Sequence, residues 1–302
     1  MTEPQRVTAN GVDFAYLEDG PADGPLALCL HGFPDHAPSF EPMLAALAAA
    51  GYHAVAPWTR GYAPTALAPD GNYQIASLGL DAIALADAFA ADRDAVVIGH
   101  DWGATAAYVA CAHAPERFRK LVALAVPHFS GFGAHLVKPA QLKRSWYVFF
   151  FQLPLADIAV PLDDYAVIDT LWRDWSPGYT PDPGFMRALK DTFSAPGCLD
   201  AAIGYYRATF GTTPPDPALA EVQAQGGGEI PVPTLYLHGT DDGCLGVEGV
   251  VDGELRPFFP AGLEVELVPG AGHFLHLERP DEVNERILTF LGPAAPAPAA
   301  RP

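Results

Sequence analysis

The run that most constrains this chain is Val96-Val97-Ile98-Gly99-His100-Asp101-Trp102-Gly103-Ala104. A short apolar stretch enters Gly-x-Asp-x-Gly and passes at once into an Ala-rich segment, Ala104 to Ala114. Such a strand-to-helix turn lifts one side chain above the carboxyl end of a parallel sheet. Glycines two residues either side of Asp101 let the turn close without Cβ clashes. The tip of this elbow is a carboxylate, where a serine is usual.

The carboxylate selects the electrophile. A serine alkoxide attacks acyl carbon. A carboxylate attacking an ester would give an anhydride, a poor intermediate. Displacing a leaving group from saturated carbon, it gives an ordinary ester, which water can cleave. Asp101 therefore points to epoxides or alkyl halides rather than to esters or peptides.

The rest of the chain has the rhythm that such an elbow needs. Leu26–Leu30, Tyr52–Ala56, Ala95–Ile98 and Leu121–Val126 read as strands. Phe40–Ala50, Leu78–Ala91 and Ala104–Ala114 read as the helices between them. Strands alternating with helices of this length imply a mostly parallel sheet covered on both faces. The alternation breaks after Pro127. Residues 129–228 are rich in aromatics, prolines and helical patches, and Gly226-Gly227-Gly228 reads as a flexible return. Strand patterns resume at Thr234–Leu237 and Glu264–Val268, and Val283–Leu291 closes the chain as a helix. We expect a core of residues 1–128 and 229–292, an inserted helical cap at 129–228, and a disordered Ala/Pro tail at 293–302.

Composition narrows the partners. With 17 basic and 36 acidic residues the formal net charge is −19. Nucleic acid and anionic lipid both require a basic surface, so neither is an expected partner. No apolar run reaches the roughly eighteen residues of a membrane span. The first residues, Met1 to Arg6, lack the apolar core of a signal peptide. The four cysteines, Cys29, Cys111, Cys198 and Cys244, are scattered and show no metal spacing. Cys29 and Cys111 sit in apolar runs and read as small core hydrophobes. We expect a cytoplasmic protein with no cofactor and no metal. The oligomeric state, a homodimer included, is left open.

Three further elements complete the elbow. A base and its orienter should follow the nucleophile in chain order. The strand Thr234–Leu237 ends in His238-Gly239-Thr240-Asp241-Asp242-Gly243, and the last strand ends in Pro269-Gly270-Ala271-Gly272-His273-Phe274. Both sites lie at carboxyl ends of strands, where ligands bind in open α/β sheets. His273 would deprotonate water, and Asp242, in preference to its neighbour Asp241, would hold the imidazole. An oxyanion hole is expected from the backbone N–H groups of Phe33, in His31-Gly32-Phe33-Pro34, and of Trp102. A phenol from the cap would supply the leaving oxygen with a proton, and Tyr147 and Tyr206 both fall there.

At this point the chain resembles the epoxide hydrolases of the α/β-hydrolase fold. The likeness runs from His31 to His273. It rests on His-Gly-x-Pro at His31–Pro34, Gly-His-Asp-Trp-Gly at Gly99–Gly103, and Gly-x-x-Asp at Gly239–Asp242. Gly-His-aromatic at Gly272–Phe274 adds to these. The resemblance implies Asp101 as nucleophile and His273 with Asp242 as base and acid. It also implies Tyr147, which precedes Phe151-Gln152-Leu153-Pro154, and Tyr206, within Tyr205-Tyr206-Arg207, as proton donors. The implied substrates are a small apolar epoxide and water. One departure is Pro57-Trp58-Thr59-Arg60-Gly61-Tyr62-Ala63-Pro64, where many relatives carry an acidic residue and Gly-x-Ser. It is expected to alter packing near the entrance.

Simpler readings compete at several positions. His276 sits near His273, and Tyr205 is a core-facing neighbour of Tyr206. His100 is expected to order the elbow, and Phe149–Phe151 is core or pocket wall. Trp102 could line an apolar pocket or cradle a halide, so haloalkane dehalogenase is the alternative activity. A non-catalytic ligand-binding member of the fold is a third reading.

Overall fold

The computed structural model describes residues 4–90, 95–211 and 214–294. Its strands are β1 (Gln5–Ala9), β2 (Val12–Asp19), β3 (Leu26–Leu30), β4 (His53–Pro57), β5 (Ala95–His100), β6 (Phe118–Leu124), β7 (Thr234–Gly239) and β8 (Leu263–Val268). Among the described residues they form one sheet, in the order β1-β2-β4-β3-β5-β6-β7-β8. The neighbouring pairs from β4 to β8 are parallel, while β1–β2 and β2–β4 are antiparallel. Strands β3, β4, β5 and β7 are buried along their whole length. Strands covered on both faces read as unbroken apolar runs, which is why these were legible. Helix α1 (Glu41–Ala49) packs against the closing helix Pro280–Leu291, and α2 (Ile75–Ala90) against α3 (Trp102–His113).

The hairpin β1–β2 was not anticipated. Its turn, Asn10-Gly11, has φ of 44° and 74°. Both residues are left-handed, as the tight turn of a two-residue hairpin loop requires, and Asn-Gly is the pair that tolerates this best. Helix boundaries also differ. Helix α3 begins at Trp102, directly after Asp101, and α2 begins at Ile75. Of the expected tail, residues 295–302 lie outside the described residues, and Ala294 packs against the core.

Between β6 and β7 the described chain is helical. It carries α4 (Phe129–Leu136), α5 (Pro139–Arg144), α6 (Trp146–Phe150), α7 (Leu155–Ala159), α8 (Leu162–Trp175), α9 (Pro183–Ser194), α10 (Cys198–Phe210) and α11 (Ala220–Gln225). These helices bond to the loops that leave the sheet. The Trp172 indole N–H donates to Pro34 O over 2.7 Å, and the Tyr205 hydroxyl donates to Arg60 O over 2.7 Å. Among the described residues no helix is long and apolar enough to cross a membrane.

Candidate active site

Four loops meet at the carboxyl edge of the sheet, because β3, β5, β7 and β8 all point the same way. The β5 loop is the elbow. Asp101 has φ 53° and ψ −120°, a conformation that costs a non-glycine residue about 1–3 kcal/mol. Its carbonyl accepts from Ala104 N and Thr105 N, so it starts α3. The elbow closes tightly. A Cβ at Gly99 would stand 2.3 Å from Gly103 O, and one at Gly103 would stand 1.9 Å from Leu30 O.

Each oxygen of the Asp101 carboxylate has its own neighbour. Oδ1 accepts the Phe33 N–H at 2.8 Å. Oδ2 lies 3.6 Å from His273 Nε2. Trp102 opens α3, so its N–H has no intrahelical acceptor. The loop that carries Phe33 is braced from below, where His31 Nε2 accepts the Thr59 N–H at 3.0 Å. The other ring nitrogen, Nδ1, lies 2.9 Å from Gly32 O, so it carries the proton and donates.

Asp242 is buried and Asp241 is exposed. Asp242 Oδ1 accepts from Cys244 N (2.7 Å) and Leu245 N (2.9 Å), while Oδ2 lies 2.9 Å from His273 Nδ1. Asp241 does not reach the histidine. Its carboxylate accepts from the Thr240 hydroxyl. Burial disfavours charge on His273, but the Asp242 carboxylate and then Asp101 outweigh it, and the pKa is pushed up to about 10. Burial likewise opposes ionisation of Asp242, yet the facing His273 holds its pKa below the usual value. The two loops also share an acceptor on a third element. Trp175 O, at the end of α8, accepts both Gly243 N and His273 N at 3.0 Å. His100 sits behind, with Nε2 3.0 Å from His273 O.

Tyr147 and Tyr206 are buried, with ring centroids 5.6 Å apart. Both line one cavity of about 270 Å³ together with Asp101 and Trp102. Tyr147 Oη lies 3.2 Å from Cys244 Sγ, whereas Tyr206 Oη has no hydrogen-bond partner. Burial raises both phenols well above the ordinary value, helped at Tyr147 by Cys244 and at Tyr206 by the Asp101 charge. Both are therefore protonated at neutral pH. The site thus joins a carboxyl group, an amide donor at one of its oxygens, an imidazole–carboxyl pair and two phenols.

Residues 27–286 match the Alpha/beta hydrolase family. The chain is 30% identical to mouse epoxide hydrolase 3 over 290 residues, covering 94% of this chain and 75% of the mouse protein. It is 32% identical to epoxide hydrolase A of Mycobacterium tuberculosis, covering 94% of this chain and 96% of that protein. The crystal structure of Bacillus megaterium epoxide hydrolase in complex with an inhibitor superposes with a TM-score of 0.80. That match has 26% identity and covers 95% of this chain and 99% of the other.

The chain belongs to the α/β-hydrolase-fold epoxide hydrolase family. Within that family's fold, the structure adds two features to those expected. Residues 57–64 are not among the described residues that line the cavity with Asp101. Trp58, Arg60 and Tyr62 are buried beneath the His31 loop, and Arg60 forms an ion pair with Asp81 at 2.5 Å. The contact of Cys244 with Tyr147 was not anticipated, nor was the Trp175 carbonyl. Tyr205 is buried as expected, against Tyr62 and Tyr73. Two groups of three buried side chains, Asp242/Cys244/His273 and Asp35/His100/His276, bring candidate metal-ligand atoms within 4.8 Å of one another. In the first, the Asp242–His273 hydrogen bond already uses atoms that a metal would need.

Proposed function

We propose that this chain hydrolyses epoxides to vicinal diols through an alkyl ester on Asp101. The observation that carries the reading is the position of that carboxylate. One oxygen is held by the Phe33 N–H, the other faces His273, and two protonated phenols share its cavity.

In the first step Asp101 Oδ2 attacks a ring carbon. The C–O bond breaks, its electron pair moves to the oxirane oxygen, and Tyr147 or Tyr206 gives that oxygen a proton. In the second step His273 Nε2 takes a proton from water, and the hydroxide attacks the ester carbon. The negative charge moves to Asp101 Oδ1, where Phe33 N–H and Trp102 N–H stabilise it. Collapse expels the diol alkoxide, which takes the proton of the His273 imidazolium, and the proton left on the Asp101 carboxylic acid returns to the phenolate. The sum is epoxide plus water giving diol. Asp242 holds the His273 tautomer and stabilises the imidazolium.

Alkylation also sets the timing. The ester cancels the Asp101 charge, one of the influences holding His273 protonated. His273 therefore gives up its proton more readily once the intermediate exists, which frees Nε2 to accept one from water.

A single turnover in heavy-oxygen water with excess enzyme tests this reading. Label should enter Asp101, and His273→Ala should accumulate a substrate adduct on the Asp101 peptide. Label found only in the diol would mean direct attack by water. Trp102, whose indole lines the cavity beside Asp101, keeps the second reading open, a haloalkane dehalogenase. Halide release from haloalkanes without diol formation from epoxides would select it.

A further inference from the structure

The cavity is lopsided about Asp101, and the sheet order gives the direction. β5 lies between β3 and β6. On the β6 side the cavity extends past Thr105, Val126, Phe129 and Gly226. On the β3 side stand Phe33, Phe151 and Phe193, each at most 2% exposed. Phe33 packs against Phe151 at 5.4 Å and Phe193 at 5.7 Å between centroids. It also meets Tyr206 edge-on at 5.3 Å. None of these three phenylalanines lines the cavity. The space beside the nucleophile is open on one side and filled by rings on the other.

Charge and size add two limits. Among the described residues no Lys, Arg or His lines the cavity. An anionic substituent would lose its hydration beside the Asp101 carboxylate, while the nearby His273 is already paired with Asp101 and Asp242. A cavity of about 150 Å³ holds benzene, so about 270 Å³ admits an aryl ring together with the oxirane. Phe129 and Phe210 are exposed at the rim, where a longer chain can leave.

We propose that the substrate is an uncharged terminal epoxide whose one apolar substituent, aryl or short alkyl, lies on the β6 side. This rests on the epoxide-hydrolase reading above. A trans-disubstituted epoxide must direct its second group toward Phe33, Phe151 and Phe193, which leave it no room. One extra methylene in a filled pocket already costs roughly 10–200-fold, so a whole second substituent costs at least about as much.

Diol formation from epoxypropane, styrene oxide, 4-carboxystyrene oxide and trans-stilbene oxide tests the proposal. Styrene oxide should exceed trans-stilbene oxide in kcat/KM by at least about 100-fold. It should exceed its carboxylated analogue by at least about tenfold. Phe193→Ala should narrow the trans-stilbene ratio. Phe193→Leu should do so less and guards against a variant that fails to fold. Thr105→Trp, filling the open side, should lower styrene oxide relative to epoxypropane. Equal turnover of styrene and trans-stilbene oxides by the parent protein would overturn the proposal and leave the epoxide reading intact. No diol from any of the four would overturn both.

Discussion

Gly32 and Asp101 approach so closely that a Cβ on Gly32 would stand 2.2 Å from Asp101 Oδ1. The same Cβ would stand 2.6 Å from Trp102 N. Both contacts are far inside van der Waals range, so Gly32→Ala must push the β3 loop away from the elbow. Phe33 N–H would then lose its 2.8 Å bond to the carboxylate. Removing one oxyanion donor typically costs roughly 10²–10³ in kcat. We expect Gly32→Ala to fold and to slow ester hydrolysis by about that factor, measured by rapid quench. A variant with parental turnover would show that Phe33 N–H is not part of the hole.

The charge state of His273 depends on two carboxylates. With both present its pKa stands at about 10, after burial has been outweighed by Asp242 and Asp101. Asp101→Asn removes one charge, as alkylation would, and should move the His273 titration to lower pH. Imidazole NMR of parent and variant checks this, and an unchanged titration would refute the timing argument. The sign for stability follows. A pKa raised above the unfolded value of about 6.5 gives stability that is complete below that pH. That stability declines as pH rises toward 10 and is lost above it. The parent Tm should fall across this window, and Asp242→Asn should fall less steeply.

What the sequence made legible was local. The central strands are unbroken apolar runs, and Asp101 follows one directly, while Asp242 lies three residues past β7 and His273 five residues past the edge strand β8. β1 and β2 were missed because their outer residues are exposed and β1 has no apolar run, although Asn10-Gly11 marked the turn. Burial separates Asp242 from Asp241, which spacing alone left in competition. The contact of Tyr147 with Cys244 spans 97 residues and has no local signature. The same is true of the Trp175 carbonyl, which fastens two loops that sequence treats as separate. The burial of Arg60 had no local signature, because its partner Asp81 lies 21 residues on, in α2.

That pair supports a stability prediction. Arg60 gives Asp81 two bonds, at 2.5 and 2.6 Å, and donates a third to Asn72 O. Asp81 is buried, and desolvation raises its pKa even with Arg60 beside it. Removing one partner of a buried pair leaves the other charge uncompensated, at about 3–5 kcal/mol. Arg60→Leu should lose stability of that order in urea denaturation. The double variant Arg60→Leu/Asp81→Leu should recover part of it. A loss below about 1 kcal/mol for Arg60→Leu would mean that solvent already screens the pair.

Tyr206 and Tyr147 should respond differently when each hydroxyl is removed. Tyr206 Oη is buried without a partner, and Tyr147 Oη has Cys244 Sγ at 3.2 Å. Tyr206→Phe keeps the ring packing against Phe33 and Trp102 and removes only the hydroxyl, so its Tm should stay close to the parent's. Tyr147→Phe leaves the thiol unpartnered and should lose a little stability. Activity should fall in both. A positioned acid is worth roughly 10²–10⁴ in rate, and with two donors each single variant should lose less than this. The double variant should be nearly inactive in ester formation, with the Asp101 adduct absent even in a His273→Ala background. Because both phenols sit well above their ordinary value, the alkaline decline of the parent should begin only above about pH 10. Parental alkylation by the double variant would remove the tyrosines from the mechanism. A stability loss in Tyr206→Phe would show that its hydroxyl is bonded in solution.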